Sequence, residues 1–158
     1  MSDYKNLPYR LGVGLMIIND QNKIFVGKRI DSKNSFGWQM PQGGIEPGES
    51  PSKAALREME EEIGCAQGFI LAETVSWYCY DLPALVIDKM WNGQYRGQKQ
   101  KWFLVKYTGK DEQINLLTQN PEFIKWRWVQ PESLAKAAVY FKKNLYRSVL
   151  KEFQNLVL

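Results

Sequence analysis

The sequence predicts an α/β sandwich, a mixed β-sheet between helical layers, and three features predict it. Runs rich in β-branched and aromatic residues are spread along the chain, one helix is bracketed by Ser50-Pro51 and Gly64, and apolar residues recur at helical spacing after Pro131. With 158 residues and 44% hydrophobic content, the chain is long enough to bury one self-sufficient core. No repeat, low-complexity tract or glycine/serine-rich linker divides it, so a single domain over residues 1–158 is expected.

The elements follow in order. Gly12 to Ile18 and Lys23 to Arg29 read as strands joined by the turn-forming tetrad Asn19-Asp20-Gln21-Asn22, a hairpin. Ser35 to Gly48 is dense in glycine and proline and reads as a loop, with a short strand around Trp38 to Met40. Ser50 can cap free amides, Pro51 suits the first helical position where no donor is needed, and Gly64 supplies the stop. Between them Leu56, Met59 and Ile63 form an apolar stripe. Further strands are expected at Ile70 to Tyr80, Lys101 to Tyr107 and Lys125 to Val129, with Pro83 to Gly97 as an aperiodic loop. From Pro131 a C-terminal helix presents Leu134, Ala138, Phe141, Leu145, Val149 and Phe153 to the core.

Composition narrows the chemistry. The first residues lack the apolar core of a signal peptide and no run is long enough for a membrane span, so a cytoplasmic protein with no membrane partner is expected. There is no histidine, which removes Ser-His-Asp and Cys-His mechanisms and the usual nitrogen ligands. Cys65 and Cys79 are too few for a zinc cage, so any metal must be held by oxygen. The formal charge of +4 is mild, but Arg96, Lys99, Lys101 and Lys106 cluster, as do Lys136, Lys142, Lys143, Arg147 and Lys151, a distribution suited to an anionic partner or to a solvated face.

Glu58, Glu61 and Glu62 stand at i, i+3 and i+4 on the middle helix, and are expected to share a face turned away from Leu56 and Met59. Like charges so spaced cost about 0.2–0.5 kcal/mol per pair, and a divalent cation is the simplest compensation. Hard oxygen ligands favour magnesium or manganese. Gly43, Gly44 and Gly48, just before the helix, let backbone approach a metal or phosphate closely. Glu49 and Arg57 are placed to brace that loop against the helix.

Gly43, five residues, Glu49, seven residues, then Arg57-Glu58-Met59-Glu60-Glu61-Glu62-Ile63-Gly64-Cys65 resembles the Nudix box, with Cys65 where the family usually has an aliphatic residue. A buried cysteine behaves as a small hydrophobe, so the departure is mild. Beyond the box, Tyr9-Arg10, Trp38 to Gly44, Gly97 to Phe103, Pro121-Glu122-Phe123, Trp126 to Trp128 and the Phe141 to Phe153 segment resemble the bacterial RNA pyrophosphohydrolase group, also described as dinucleoside polyphosphate hydrolases.

The resemblance implies a Nudix-type α/β/α sandwich and conversion of a 5′-triphosphate or 5′-diphosphate RNA end to a monophosphate, with diadenosine polyphosphates as further substrates. It implies Mg2+ or Mn2+ held by Glu58, Glu61 and Glu62 with the Gly43 carbonyl, and Glu122 as a further ligand or as the base. It also implies a phosphate contact from Arg10, a base sandwiched by Arg29 and Phe141, and a phosphate contact from Lys142, with Tyr80, Gln98 and Lys101 on the cleft wall. Phe141 also lies on the apolar stripe, where core packing is the competing role. Three functions follow: RNA 5′ pyrophosphohydrolase, hydrolase of free dinucleoside polyphosphates, or silent RNA-binding domain. The first would serve mRNA decay and the second would clear signalling dinucleotides.

Overall fold

A computed structural model describes residues 4–30 and 37–158. Ser35, where the expected glycine-rich loop begins, lies outside the described residues, as do Met1 to Asp3 of the N-terminal segment. Eight strands form one sheet: β1 Tyr9–Ile18, β2 Ile24–Arg29, β3 Trp38–Gln39, β4 Gln42–Gly44, β5 Gly68–Glu73, β6 Tyr78–Asp81, β7 Gly97–Tyr107 and β8 Phe123–Val129. The path runs β3-β2-β1-β7-β5, with β4 on β1, β6 on β7 and β8 on β2. The pairing of β1 with β7 is parallel and the remaining pairs are antiparallel, so the sheet is mixed as expected.

Helix α1 (Pro51–Ile63) covers one face, where Ala54, Ala55, Met59 and Ile63 pack on Val13, Leu15, Phe25 and Phe103. Helix α4 (Lys143–Val157) covers the other, where Tyr146, Val149 and Phe153 pack with Met16, Trp102 and Leu104. Two four-residue helices, α2 (Ala84–Ile87) and α3 (Leu134–Ala137), complete the layers.

Helix α1 is built as its ends predict. Ser50 Oγ accepts from the Lys53 amide at 3.3 Å, Pro51 opens the first turn, and Gly64 closes the helix at φ 68°, donating to the Glu60 carbonyl. Its apolar stripe differs from expectation. Leu56 is 44% exposed, while Glu58 and Glu62 flank Ala55 and Met59 on the buried side. The acids are therefore not turned away from the core; two of them lie at its margin.

Long-range contacts shift other boundaries. The first hairpin closes on a single pair, Ile18 with Ile24, and farther along the same edge β1 pairs with β4 instead. The expected strand at Ile70 to Tyr80 is two strands, since Thr74 leaves the ladder with its hydroxyl on the Ser76 carbonyl and its amide on the Trp102 carbonyl. The Pro83 to Gly97 loop contains α2 and a 3-10 turn at Trp91–Gly93, where Trp91, Asn92 and Gly93 all have positive φ.

The continuous C-terminal helix is also corrected. A 3-10 turn at Pro131–Ser133 and α3 are followed by Ala138 in extended conformation, bridged to Trp38, and by a second 3-10 turn at Tyr140–Lys142 before α4 begins. The apolar spacing stays in helical phase across the break. Bridging to Trp38 and burying Lys142 against Gln39 and Gln42 override local propensity here.

Candidate active site

Parallel pairing of β1 with β7, and β4 against β1, bring the loop before α1 and one end of the sheet together around a cleft of about 690 Å³. Glu58, Glu61 and Glu62 line it from α1, and Glu122 lines it from the loop before β8. Arg10, Arg29 and Gln98 line it from the sheet, with Gly43 and Arg57 between. These are sequence-predicted residues gathered from six separate segments.

Arg57 organises the acidic side. Its Nε and Nη2 grip both oxygens of Glu49 at 2.7 and 2.8 Å, and Nη2 also donates to the Gly44 carbonyl at 2.9 Å. Nη1 donates to Glu58 Oε1 at 2.9 Å and lies 3.2 Å from Glu61 Oε2. One guanidinium thus ties loop to helix and partly neutralises two box acids. Glu49, whose carboxyl the Arg57 fork holds down at about 2, stands behind the cleft wall as a brace.

The other acids feel burial. Glu58 is pushed up to about 7, first by desolvation and then by the charge of Glu61, against the pull of Arg57. Glu62 is raised well above the usual carboxylate range by burial and by Glu58 and Glu122, with Lys142 opposing. Its Oε2 is buried and has no hydrogen-bond partner. A Cβ on Gly43 would fall 1.9 Å from the Glu58 carboxyl carbon, so only glycine lets that carboxylate lie against the loop backbone.

Among the described residues no three acids already enclose a common point, because Glu58 and Glu61 are turned onto Arg57. The donor set nonetheless fits a hard divalent cation. It is all oxygen, it leaves an orphaned buried carboxylate oxygen on Glu62, and its mutual repulsion already disfavours ionisation.

Tyr80, Phe141 and Lys142 do not line the cleft. Lys142, only 3% exposed, donates from Nζ to Gln39 Oε1 and Gln42 Oε1, both at 3.1 Å. Burial and the neighbouring charge of Arg29 lower its ammonium to about 7. Gln42, which lines the cleft, donates in turn to the Tyr80 hydroxyl at 2.9 Å, and the rings of Tyr80 and Phe141 lie 6.1 Å apart. Phe141 is half-buried against the core on the α4 side, so part of its ring is taken up by packing.

Lys101 is not brought to the cleft. Three members of the basic clusters are engaged, with Arg96 paired to Asp81, Lys106 reaching Asp20 and the Asn19 carbonyl, and Lys142 buried, while Lys99, Lys136, Arg147 and Lys151 stay exposed.

Sequence reasoning missed Met90 and Trp91, which line the cleft from the aperiodic segment. The Arg10 guanidinium lies 5.2 Å from the Trp91 ring centroid, and a Cβ on Gly44 would fall 2.2 Å from Arg10 Nη2, so Arg10 is held between ring and backbone. A tryptophan beside Gly93 in an otherwise featureless loop was the available signal.

The NUDIX domain family matches residues 8–149 of the chain. A protein named RNA pyrophosphohydrolase from Rickettsia typhi is 57% identical over 154 residues, covering 98% of this chain and 95% of that protein. Another of the same name from Rickettsia canadensis is 59% identical over 152 residues, covering 96% and 94%. Among solved structures, E. coli dihydroneopterin triphosphate pyrophosphohydrolase aligns with TM-score 0.66 at 16% identity, covering 89% of this chain and 96% of that one. A C. elegans Ap4A hydrolase complex aligns with TM-score 0.62 at 21% identity, covering 91% and 98%. At these identities the solved structures speak to the fold, an α/β Nudix architecture.

Proposed function

The chain belongs to the NUDIX family, and from that premise we propose that it hydrolyses phosphoric anhydrides at RNA 5′ ends, leaving a 5′-monophosphate. One observation carries the reading: the carboxylates of Glu58, Glu61, Glu62 and Glu122 line one cleft together with Arg10, Arg29 and Gln98. Such an arrangement can take a polyphosphate together with the cations that neutralise it. The relatives that supply the RNA end as substrate align along nearly their whole length.

Magnesium or manganese would be held by Glu58, Glu61 and Glu62 with the Gly43 carbonyl, joined by Glu122 where that residue is not the base, and when bound would neutralise the phosphate chain and polarise the phosphoryl group. The protein's own side chains supply the rest. Arg10, steadied by Trp91, and Arg29 meet the phosphate charge from the sheet side. Lys142 fixes Gln42 at the cleft wall through the Gln42 carbonyl oxygen. A water oxygen bonds to phosphorus, the bridging P–O bond breaks, and phosphate or pyrophosphate leaves. With no histidine in the chain, the proton of that water goes to a carboxylate of the wall, for which Glu122 on its separate loop is the candidate. Arg29 and Phe141 would flank the base next to the phosphates.

The deciding experiment compares kcat/KM on 5′-triphosphorylated RNA and on diadenosine tetra-, penta- and hexaphosphate with magnesium present. A higher value on RNA supports the assignment, and a higher value on the free dinucleotides replaces it with dinucleoside polyphosphate hydrolysis. Among the described residues no helix is long and apolar enough to cross a membrane.

A further inference from the structure

Three side chains on one face of β7 form a hydrogen-bonded ladder that ends in the cleft. Gln98, Gln100 and Trp102 stand at i, i+2 and i+4, so they project to the same side of the sheet, and all three are fully buried. The parallel register sets Gly12 opposite Gln100 and Gly14 opposite Trp102. A Cβ on Gly14 would lie 2.2 Å from the indole, and one on Gly12 would lie 2.6 Å from Gln98 Oε1. The two glycines leave the space the ladder occupies.

The ladder has a fixed polarity. An indole N–H can only donate. Trp102 Nε1 donates to Gln100 Oε1 at 3.0 Å, which forces the Gln100 amide nitrogen to the other side, where it donates to Gln98 Oε1 at 2.6 Å. The Gln98 oxygen is thereby engaged, and its NH2 group must point onward. That nitrogen is buried, has no partner, and belongs to a residue lining the cleft beside Arg10 and Gly43. Trp102 is itself steadied by its amide, which donates to Thr74 Oγ1 at 3.1 Å.

We propose that Gln98 is a neutral donor to a phosphate oxygen of the substrate, and that Gln100 and Trp102 are positioning residues that set its amide the right way round. A phosphate offers only acceptors, so a glutamine free to flip would present its carbonyl half of the time and repel it. The indole at the far end removes that freedom without contributing a charge. The ligand class rests on the reading of the cleft as a polyphosphate site.

Calorimetry with inorganic pyrophosphate as probe, in magnesium, tests the proposal on the full chain and four variants: Gln98→Met, Gln98→Glu, Gln100→Met and Gln98→Met combined with Gln100→Met. Gln98→Met is expected to weaken binding about tenfold or more. Gln98→Glu, equal in shape but an acceptor, is expected to weaken it at least as far, and it serves should the methionine variant not fold. Gln100→Met, which frees the Gln98 amide to flip and also leaves the Trp102 indole N–H without its acceptor, is expected to cost about two- to fivefold alone and nothing further in the Gln98→Met background. With 15N-glutamine labelling, the Gln98 NH2 signal should move on adding pyrophosphate in the wild type and move less in Gln100→Met.

Wild-type affinity in folded Gln98→Met, or an equal loss from Gln100→Met in both backgrounds, would overturn the proposal. Binding of pyrophosphate does not require turnover. Failure of the wild type to cleave RNA would therefore reject the substrate assignment while the calorimetry still decides the donor.

Discussion

Arg57 meets Glu49 through two parallel N–H···O bonds of 2.7 and 2.8 Å, and the same Nη2 reaches the Gly44 carbonyl. The fork fastens the glycine-bearing loop to the second turn of α1, so the position of the acids relative to that loop depends on one guanidinium. Lysine cannot reproduce a planar two-point grip. Arg57→Lys is expected to lower thermal stability by about 1–2 kcal/mol and kcat by at least about tenfold. Wild-type Tm and kcat in this variant would show the fork to be ornamental.

Removing single box acids tests the proposed cation site directly. Glu61→Gln and Glu62→Gln keep side-chain size and are expected to reduce kcat on the order of 10² or more, about 2.7 kcal/mol of barrier. The magnesium concentration giving half-maximal rate should rise in parallel. Near-normal turnover in both would reject the assignment of these acids as ligands.

Glu58 makes stability depend on pH in a definite direction. Its folded carboxyl is raised to about 7 from an ordinary 4.5, so between those values the folded state binds more protons than the unfolded state. Stability from this group is therefore greatest below the unfolded value, falls as pH rises through the window, and levels off above about 7. Glu49, held down at about 2, acts in the opposite sense: its contribution is present above 4.5 and lost as pH falls through its folded value. Urea unfolding in chelator from pH 5 to 8 should show a declining stability that is flatter in Glu58→Gln. Magnesium, which competes with the proton, should restore stability most above pH 7. Parallel curves for wild type and variant would contradict the assigned shift.

Substitution of Phe141 offers a test that distinguishes RNA from free dinucleotides as the substrate. Its ring stands 6.1 Å from Tyr80 and packs partly on the core, yet base stacking is worth about 1–3 kcal/mol. Phe141→Ala is expected to lower kcat/KM on triphosphorylated RNA by about tenfold beyond any loss on diadenosine tetraphosphate. Equal losses on the two substrates would assign the ring to packing alone.

Much of this protein was legible as a string because its strongest signals are local. The caps of α1, the turn at Asn19 to Asn22, the strand-rich runs and the spaced Gly43, Glu49, Arg57 and glutamate set each lie within one short continuous stretch of chain. Those signals sufficed for an α/β fold and for the acids of the cleft. What they could not reach was set by pairing across long separations. Parallel pairing of β1 with β7 aligns Gly12 and Gly14 with a glutamine-tryptophan ladder some 88 residues later, an offset read from the Gly12–Gln100 register. Bridging of Ala138 to Trp38 breaks a helix whose apolar phase never falters, and packing buries Glu58, Glu62 and Lys142 despite their charge. Sequence periodicity records which face of a local element is apolar. Only the folded chain decides which distant groups crowd that face, and desolvation by those neighbours sets how each carboxylate, ammonium and amide can act.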